Sequence, residues 1–524
     1  MKTLHKILTG GAILLASLTA CKKDLNLKPT NDITADQVYS TPEGYKQVLF
    51  KVYASFATTS GKGSGDSDLG GIDAGASDFF RLYWNAQELT TDEALCVWND
   101  PGVFDLNYQT YTSDNIILQG LYTRSIYQIT LANEFLREST PEKLASRNIS
   151  GADASDITAA RAEARFLRAY QYWVLMDMFG NPPFLTEANE IGKVAPKQIK
   201  RADLFNYVES ELLAIENELP VSNEYGRATR AAGQMLLSRV YLNAAVYIGT
   251  AKNTEAVNYA SKVISGGYSL HSQYKNLFLS DNNQGNPETI FAINYDANFT
   301  QNFGGTTFLI NAAISSDMDP ASFGVPNGGW GGIRSASTLP LMFGDYSGNT
   351  DKRAMFFAGK LENDNIAVFK DGLAVIKFRN VSQNNITPPS NAGTFSSVDF
   401  PLFRLPEAYL NYAEGVLRGG GGGTNSQALA YVNLLRQRAY GNDSGRLNSI
   451  SLDVILSERA KEFYWEGYRR TDLIRFGKFT DGSYLWPFKG GIKGGRGVEA
   501  TRALFPLPSA DLIANPNLTQ NPGY

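Results

Sequence analysis

Between Ser155 and Gly267, and again between Glu407 and Gly477, apolar residues recur at the three- and four-residue spacing of one helix face. This periodicity restricts the chain to a fold built on packed helices. Ser155 is placed to cap a helix carrying Ile157, Ala160, Ala164, Leu167, Val174 and Met178 on one face, and Gly180 with Pro182 and Pro183 stops it. Leu204, Val208, Leu212, Ile215 and Leu219 form a second face that ends at Pro220. Arg227 to Ile248 reads as a third helix, rich in Ala and Gly, whose small side chains let a neighbouring helix approach closely. Thr254 is placed to cap a fourth, Ala256 to Ile264, closed by Gly266-Gly267. Near the C-terminus, Glu407 to Leu417 precedes the glycine run 419–423. Two further helical faces follow, Ala428, Val432, Leu435 and Ala439, then Leu452, Leu456, Ala460, Phe463 and Gly467. Helices joined in pairs by short turns suggest tetratricopeptide-type hairpins, although clean internal repetition is absent. The expected fold class is all-α, with helical hairpins as scaffold.

Residues 271–400 differ in character: glycine, asparagine, serine and proline are frequent and apolar runs are short. Thr289–Tyr295 and Leu373–Phe378 read as strands, and the remainder as long loops over the helical frame. Residues 58–78 (TTSGKGSGDSDLGGIDAGASD) are a second such stretch. Loops of this length are usually functional or disordered, and a rigid frame that carries them is a common way to build a binding surface.

Which function is narrowed by what is scarce. The chain has two histidines, and His5 lies at the very start, so His271 alone would have to serve a Ser-His-Asp or Cys-His site. Two cysteines and two histidines leave too few ligands for a zinc site, and no GxxxxGK[ST] phosphate loop occurs. A formal charge of -4 offers no basic footprint for nucleic acid. Glycosidases, which need only two carboxylates, pass this filter with 52 acidic residues present. The adjacent pair Asp92-Glu93 is weak support for them, because neighbouring carboxylates point apart in most conformations; hydrogen bonding in a loop is the favoured reading. Cys96 reads as a small buried apolar residue. Glu458-Arg459, Glu462 and Arg469-Arg470 read as a charged helix face with internal pairing, to which Arg475 is added. No cofactor is called for, and the sequence is silent on a bound structural ion such as calcium.

The N-terminus reads as an address. Lys2 and Lys6 precede an apolar run from Ile7 to Leu18, too short to span a bilayer but suited to the core of a secretory signal. It ends in Leu18-Thr19-Ala20-Cys21, a sequence similar to a bacterial lipobox. The expected organisation is a signal peptide at 1–20, a lipid on Cys21, a polar tether over 21–39, and one domain over 40–524. Within that domain the helical scaffold falls mainly at 115–270 and 401–476, and the ligand-facing loops at 271–400.

Four stretches carry a family resemblance: AEARFLRAYQYWVLMDMFGNPP at 162–183, GRATRAAGQMLLSRVYL at 226–242, DFPLFRLPEAYLNYAE at 399–414 with SERAKEFYWEGYRRTDLIRFG at 457–477, and the final LFPLPSADLIANPNLTQNPGY. They resemble the SusD-like (RagB/SusD) outer-membrane lipoproteins of Bacteroidetes-type bacteria. That resemblance implies tetratricopeptide-like hairpins with a loop-rich region packed against them. It also implies a non-catalytic protein that binds oligosaccharide at the cell surface and sits as a lid on a SusC-like TonB-dependent β-barrel transporter. Lys22-Lys23-Asp24 after Cys21 suits a surface-exposed, lipid-anchored member of such a family.

The segments at 77–98 and 462–491 are most similar to the starch-binding members, in which three aromatic rings follow the curve of an α-glucan. Trp98, Phe303 in QNFGG and Trp330 in PNGGWGG fall at the matching places, and Arg81 matches an arginine that bonds sugar hydroxyls. Phe303 stands where those members have tyrosine, and Pro101 where they have a hydrogen-bonding asparagine, which leaves Asn99 or Asp100 as substitutes. From the residues themselves, Trp173 and Trp465 read as core, and Phe303 as loop core. Trp330, between Gly328-Gly329 and Gly331-Gly332, has little local side-chain volume to bury it. The expected site is therefore Trp98, Phe303, Trp330, Arg81 and Asn99, with starch or maltooligosaccharide as ligand. Three readings stand: a glycan-capturing lipoprotein, a glycosidase on the same polymer, and a structural partner that mainly closes a transporter.

Overall fold

The computed structural model describes residues 34–524 apart from 190, 191, 193, 391 and 392. The expected signal peptide, Cys21 and most of the expected tether lie outside the described residues. At the end of the tether, Ala35–Val38 form one helical turn closed by a capping box between Thr34 and Gln37. Tyr39 is buried there against Tyr45, with ring centroids 4.9 Å apart.

Helices form the frame. α1 (Pro42–Ala54) starts with Thr41 accepting from the Gly44 N–H, with proline in its first turn. α2 (Phe79–Glu88) is capped by Asp78, and α3 (Ile116–Glu138) by Asn115. α4 (Gly151–Met178) begins four residues before Ser155, whose hydroxyl instead donates back to the Gly151 carbonyl inside the first turn. α5 is Arg201–Ile215.

The third expected helix is broken. α6 spans Arg230–Leu242, and a separate turn follows at Ala244–Ile248. The break falls at Asn243, whose amide donates to the Arg239 carbonyl and whose oxygen accepts from Arg475. α7 (Asn253–Ile264) includes Thr254, which does not cap it but accepts from the Gly421 N–H at 2.8 Å.

α3 packs on α4, α4 on α5, and α6 on α7, as hairpins do. The chain then leaves the frame for some 140 residues. It returns as α9 (Leu405–Leu417), which packs directly on α7 and then on α10 (Asn425–Tyr440). Gly415 makes the α7–α9 approach close enough that a Cβ there would sit 2.7 Å from Val257. α11 (Leu452–Phe463) and α12 (Arg469–Arg475) complete the frame. Gly467 falls in the turn between them at φ +79°, beyond the helix on which the spacing had put it.

The excursion is more ordered than its composition suggests. Besides loops it holds α8 (Gly305–Ala313), a short helix at Thr338–Phe343, and strands paired antiparallel. β1 (Ala94–Cys96) pairs with β3 (Ile333–Ser335), and β2 (Thr289–Ile293) with β6 (Phe400–Arg404). The small pair β4 (Phe356–Phe357) and β5 (Ala374–Val375) completes the set. One hydrophobic cluster extends from Val52 to Leu518 and includes residues of both the frame and the excursion. Trp173 and Trp465 are buried in it.

The charged residues of α11 and α12 are not a solvated face. Glu458, Arg459, Glu462, Arg469 and Arg470 are all buried, and apart from the Arg459–Asp472 pair between α11 and α12 their ion-pair partners come from other parts of the chain. Arg404 meets Glu288 at 2.7 Å, Glu462 at 2.8 Å and Glu466 at 2.7 Å, while Arg438 bridges Glu288 and Glu462. Arg353 joins Asp351, Glu458 and Glu462, and Lys377 meets Glu466 at 2.6 Å. The three guanidinium groups around Glu462 outweigh its burial and hold its carboxyl well below the usual carboxylate range. Arg475, as expected, is tied to Arg459 through Asp472, and it also grips Glu414. Asp92 likewise pairs with Arg469 at 2.7 Å.

Candidate functional site

Trp98 and Trp330 reach one another through the β1–β3 pair. The register sets Cys96 opposite Ile333, and the Val97 N–H continues the ladder to the Gly332 carbonyl at 2.8 Å. The two tryptophans emerge just past this end, ring centroids 6.5 Å apart and tilted by 42°. Phe303 lies on the far side of Trp330 at 6.3 Å and 46°. The three rings thus form one row in the order Trp98, Trp330, Phe303. All three keep part of their surface in solvent, with Phe303 38% exposed rather than in the loop core.

The glycines around Trp330 have a physical reason. The N–H groups of Trp330, Gly331 and Gly332 bond the carbonyls of Asn311, Ile314 and Ala312 at the end of α8. That contact needs bare backbone, since a Cβ on Gly329 would lie 2.0 Å from the Ile314 carbonyl oxygen. A Cβ on Gly332 would lie 2.2 Å from the Trp98 ring, so this glycine sets where the indole sits.

Behind the row stand residues that the sequence pattern did not single out. Phe308 of α8 backs Trp98 at 6.2 Å, and Phe395 backs Phe303 at 5.3 Å. Asp78 locks the start of α2 to that of α8, accepting from the N–H groups of Arg81 and Gly305 at 2.8 Å each. Only glycine fits at 304, where a Cβ would lie 2.1 Å from Asp78.

Arg81 lies under this platform. Its guanidinium stacks over Phe308 at 4.5 Å, reaches toward Trp98 at 5.9 Å, and donates to the Phe303 carbonyl at 3.2 Å. Among the described residues no carboxylate lies within salt-bridge distance of it, and its Nε is buried with no partner. Burial lowers its pKa from the ordinary arginine value, while Asp73, Asp78 and Asp100 act the other way. A guanidinium with donors to spare beside a flat aromatic row matches the two aspects of a hexose, C–H groups on a face and hydroxyls at an edge. Asn99 and Asp100 are exposed just beyond Trp98.

Cys96 is buried in β1, and burial pushes its thiol up to about 12. Asp92 and Glu93 are buried as well, Asp92 on Arg469 and Tyr484, Glu93 on the Trp465 N–H. No group of three His, Cys, Asp or Glu side chains among the described residues could hold a metal ion.

Residues 345–524 match the SusD family, and residues 74–242 match a family described as starch-binding and associating with the outer membrane. Along its length the chain is 32% identical to the starch-binding protein SusD of Bacteroides thetaiotaomicron, covering 98% of this chain and 97% of that one. The chain belongs to the SusD family. A solved SusD homolog from Bacteroides thetaiotaomicron superposes with a TM-score of 0.73 at 19% identity, over 94% of this chain and 99% of that one. Surface glycan-binding protein A from the same organism, solved in complex with laminarihexaose, superposes with a TM-score of 0.69 at 21% identity, over 91% and 99%. These likenesses establish the SusD-like all-α fold. SusD-family members are carbohydrate-binding proteins, not enzymes, so the glycosidase reading is set aside.

Proposed function

We propose that this SusD-family chain is a cell-surface lipoprotein that captures a glucan, with starch or maltooligosaccharide as the preferred ligand, on the row Trp98–Trp330–Phe303. The observation that carries this is the row itself: three part-exposed rings in sequence beside Arg81, which bonds the Phe303 carbonyl but has no carboxylate partner among the described residues. A relative that is 32% identical over nearly the full length binds starch by name, which favours an α-glucan. Capture would feed a SusC-like TonB-dependent transporter, with Cys21 as the lipid anchor that keeps the binder at the outer membrane. The description of the family matched at 74–242 supports that location.

A β-glucan is the second reading, motivated by the laminarihexaose held by one structural neighbour. Phe303 in place of tyrosine keeps a stacking face but removes a hydroxyl that could help to choose between linkages. Affinity electrophoresis in gels containing starch or laminarin decides between the two. Retardation by starch alone is expected; retardation by laminarin alone would overturn the α-glucan assignment, and retardation by neither would overturn glucan capture.

A further inference from the structure

A second cleft opens beside the aromatic row. It has a volume of ≈ 280 Å³ and lies between α1, the turn at 224–227 and the end of β2, near the lower end of the ~300–1,000 Å³ typical of ligand sites. Phe50 and Tyr225 stand at its mouth, 38% and 40% exposed. Its base is rigid. Glu163 accepts from the Tyr53 hydroxyl at 2.6 Å and from two Arg227 nitrogens at 3.1 and 2.5 Å, and the Ala228 N–H donates to Tyr53 at 2.9 Å. The Arg227 guanidinium lies 5.8 Å from the centre of the Phe50 ring. Gly226, at φ +80°, presses the turn so closely onto Asn294 that a Cβ would lie 2.2 Å from its amide. Part-exposed rings stand here beside a guanidinium that, unlike that of Arg81, is ion-paired, to Glu163 and Glu224.

The cleft and the row share a wall. Thr300 lines the cleft, and Asn302 pins the same segment by donating to the Ala57 carbonyl at 2.6 Å. Phe303 follows three residues after Thr300, so at most about 11 Å of chain separates them. Phe299, next to Thr300 in the chain, projects into solvent, 86% exposed.

We propose that this cleft is an accessory saccharide subsite, which takes the continuation of a neutral oligosaccharide chain that passes the Phe303 end of the row. The inference rests on the glucan reading of the row. It assigns the row to short ligands and adds the cleft only for longer ones, so chain length separates the two.

The test is calorimetry on the mature chain with maltotriose and maltoheptaose, for the wild type and for Tyr225→Ala, Tyr225→Phe, Phe50→Ala and Trp330→Ala. Circular dichroism and the thermal midpoint establish that each variant is folded. Tyr225→Ala and Phe50→Ala are expected to weaken maltoheptaose about tenfold, one contact of about 1.4 kcal/mol, and to leave maltotriose unchanged. Tyr225→Phe, which keeps the ring, retains wild-type affinity for both. Trp330→Ala weakens both sugars. If Tyr225→Ala and Phe50→Ala leave maltoheptaose unaffected while Trp330→Ala weakens it, the accessory subsite is wrong and the row stands. Equal losses for the two sugars would also overturn it. If the wild type binds neither sugar, the glucan reading falls and takes the subsite with it. Unchanged sugar affinities with weaker co-purification of a β-barrel partner would reassign the cleft to a protein contact.

Discussion

Trp98, Trp330 and Gly332 illustrate how few atoms decide the character of the site. Trp98→Ala or Trp330→Ala should remove a central aromatic contact worth about 2 kcal/mol or more, a loss of about thirtyfold in glucan affinity. Titration of each folded variant against the wild type reads this directly, and unchanged affinity would remove that ring from the site. Gly332→Ala touches no ligand, but its Cβ would strike the Trp98 ring. The indole must swing away, which should shift tryptophan fluorescence and weaken binding about tenfold, since hot-spot contacts depend on close packing. Both tryptophans and the glycine-flanked loop were legible in the sequence. What the glycines are for was not, because the partner they accommodate, the end of α8, is a nine-residue apolar segment too short for periodicity to reveal. Phe308 and Phe395 were missed for the same reason: nothing in their local sequence distinguishes a ring that supports a site from one in the core.

Among the elements, seven helices of the frame were read in approximate place, because each buries one face against a neighbour and so keeps its period, whereas α1, α2, α3 and α12 were not singled out. Their ends were less legible. Ser155 and Thr254 carry capping chemistry, yet one lies inside α4 and the other accepts from a distant glycine N–H. The acidic charges of α11 were read as a local helix face because a helical i,i+4 pattern looks the same whether its partners are local or come from residues 353, 404, 436 and 438. Glu462 is the centre of that lattice. Glu462→Gln leaves Arg353, Arg404 and Arg438 partly uncompensated in the interior, and breaking a buried pair in this way costs roughly 3–5 kcal/mol. A urea titration should show that loss at neutral pH; a change below about 1 kcal/mol would mean that the lattice is locally redundant.

For the whole molecule, pH is the global probe. Burial raises Asp399 to about 7 and Glu88 to about 7, both above their unfolded values. Over that window the native state holds more protons than the unfolded one, so their stabilisation is complete below about pH 4 and is lost as pH rises through 7. Lys377 has the opposite sign: burial lowers it to about 8, so the unfolded state holds the extra proton and stability recovers between about pH 8 and 10.5. The thermal midpoint should accordingly fall from pH 5 to pH 7.5, and Asp399→Asn should flatten that fall. An unchanged slope in the variant would rule Asp399 out as a contributor.

The ion lattice has a further consequence, for the order in which the protein comes into being. Trp98 lies just past β1, whose preceding residues Asp92 and Glu93 are held by Arg469 and the Trp465 N–H, and the excursion that bears Trp330 is fastened through Glu462 and Glu466. None of these partners exists until nearly nine-tenths of the polypeptide has been made. Contacts of such long sequence separation form late and slowly. A chain made from its N-terminus would thus have its candidate glycan-binding face unassembled until its C-terminal helices had arrived.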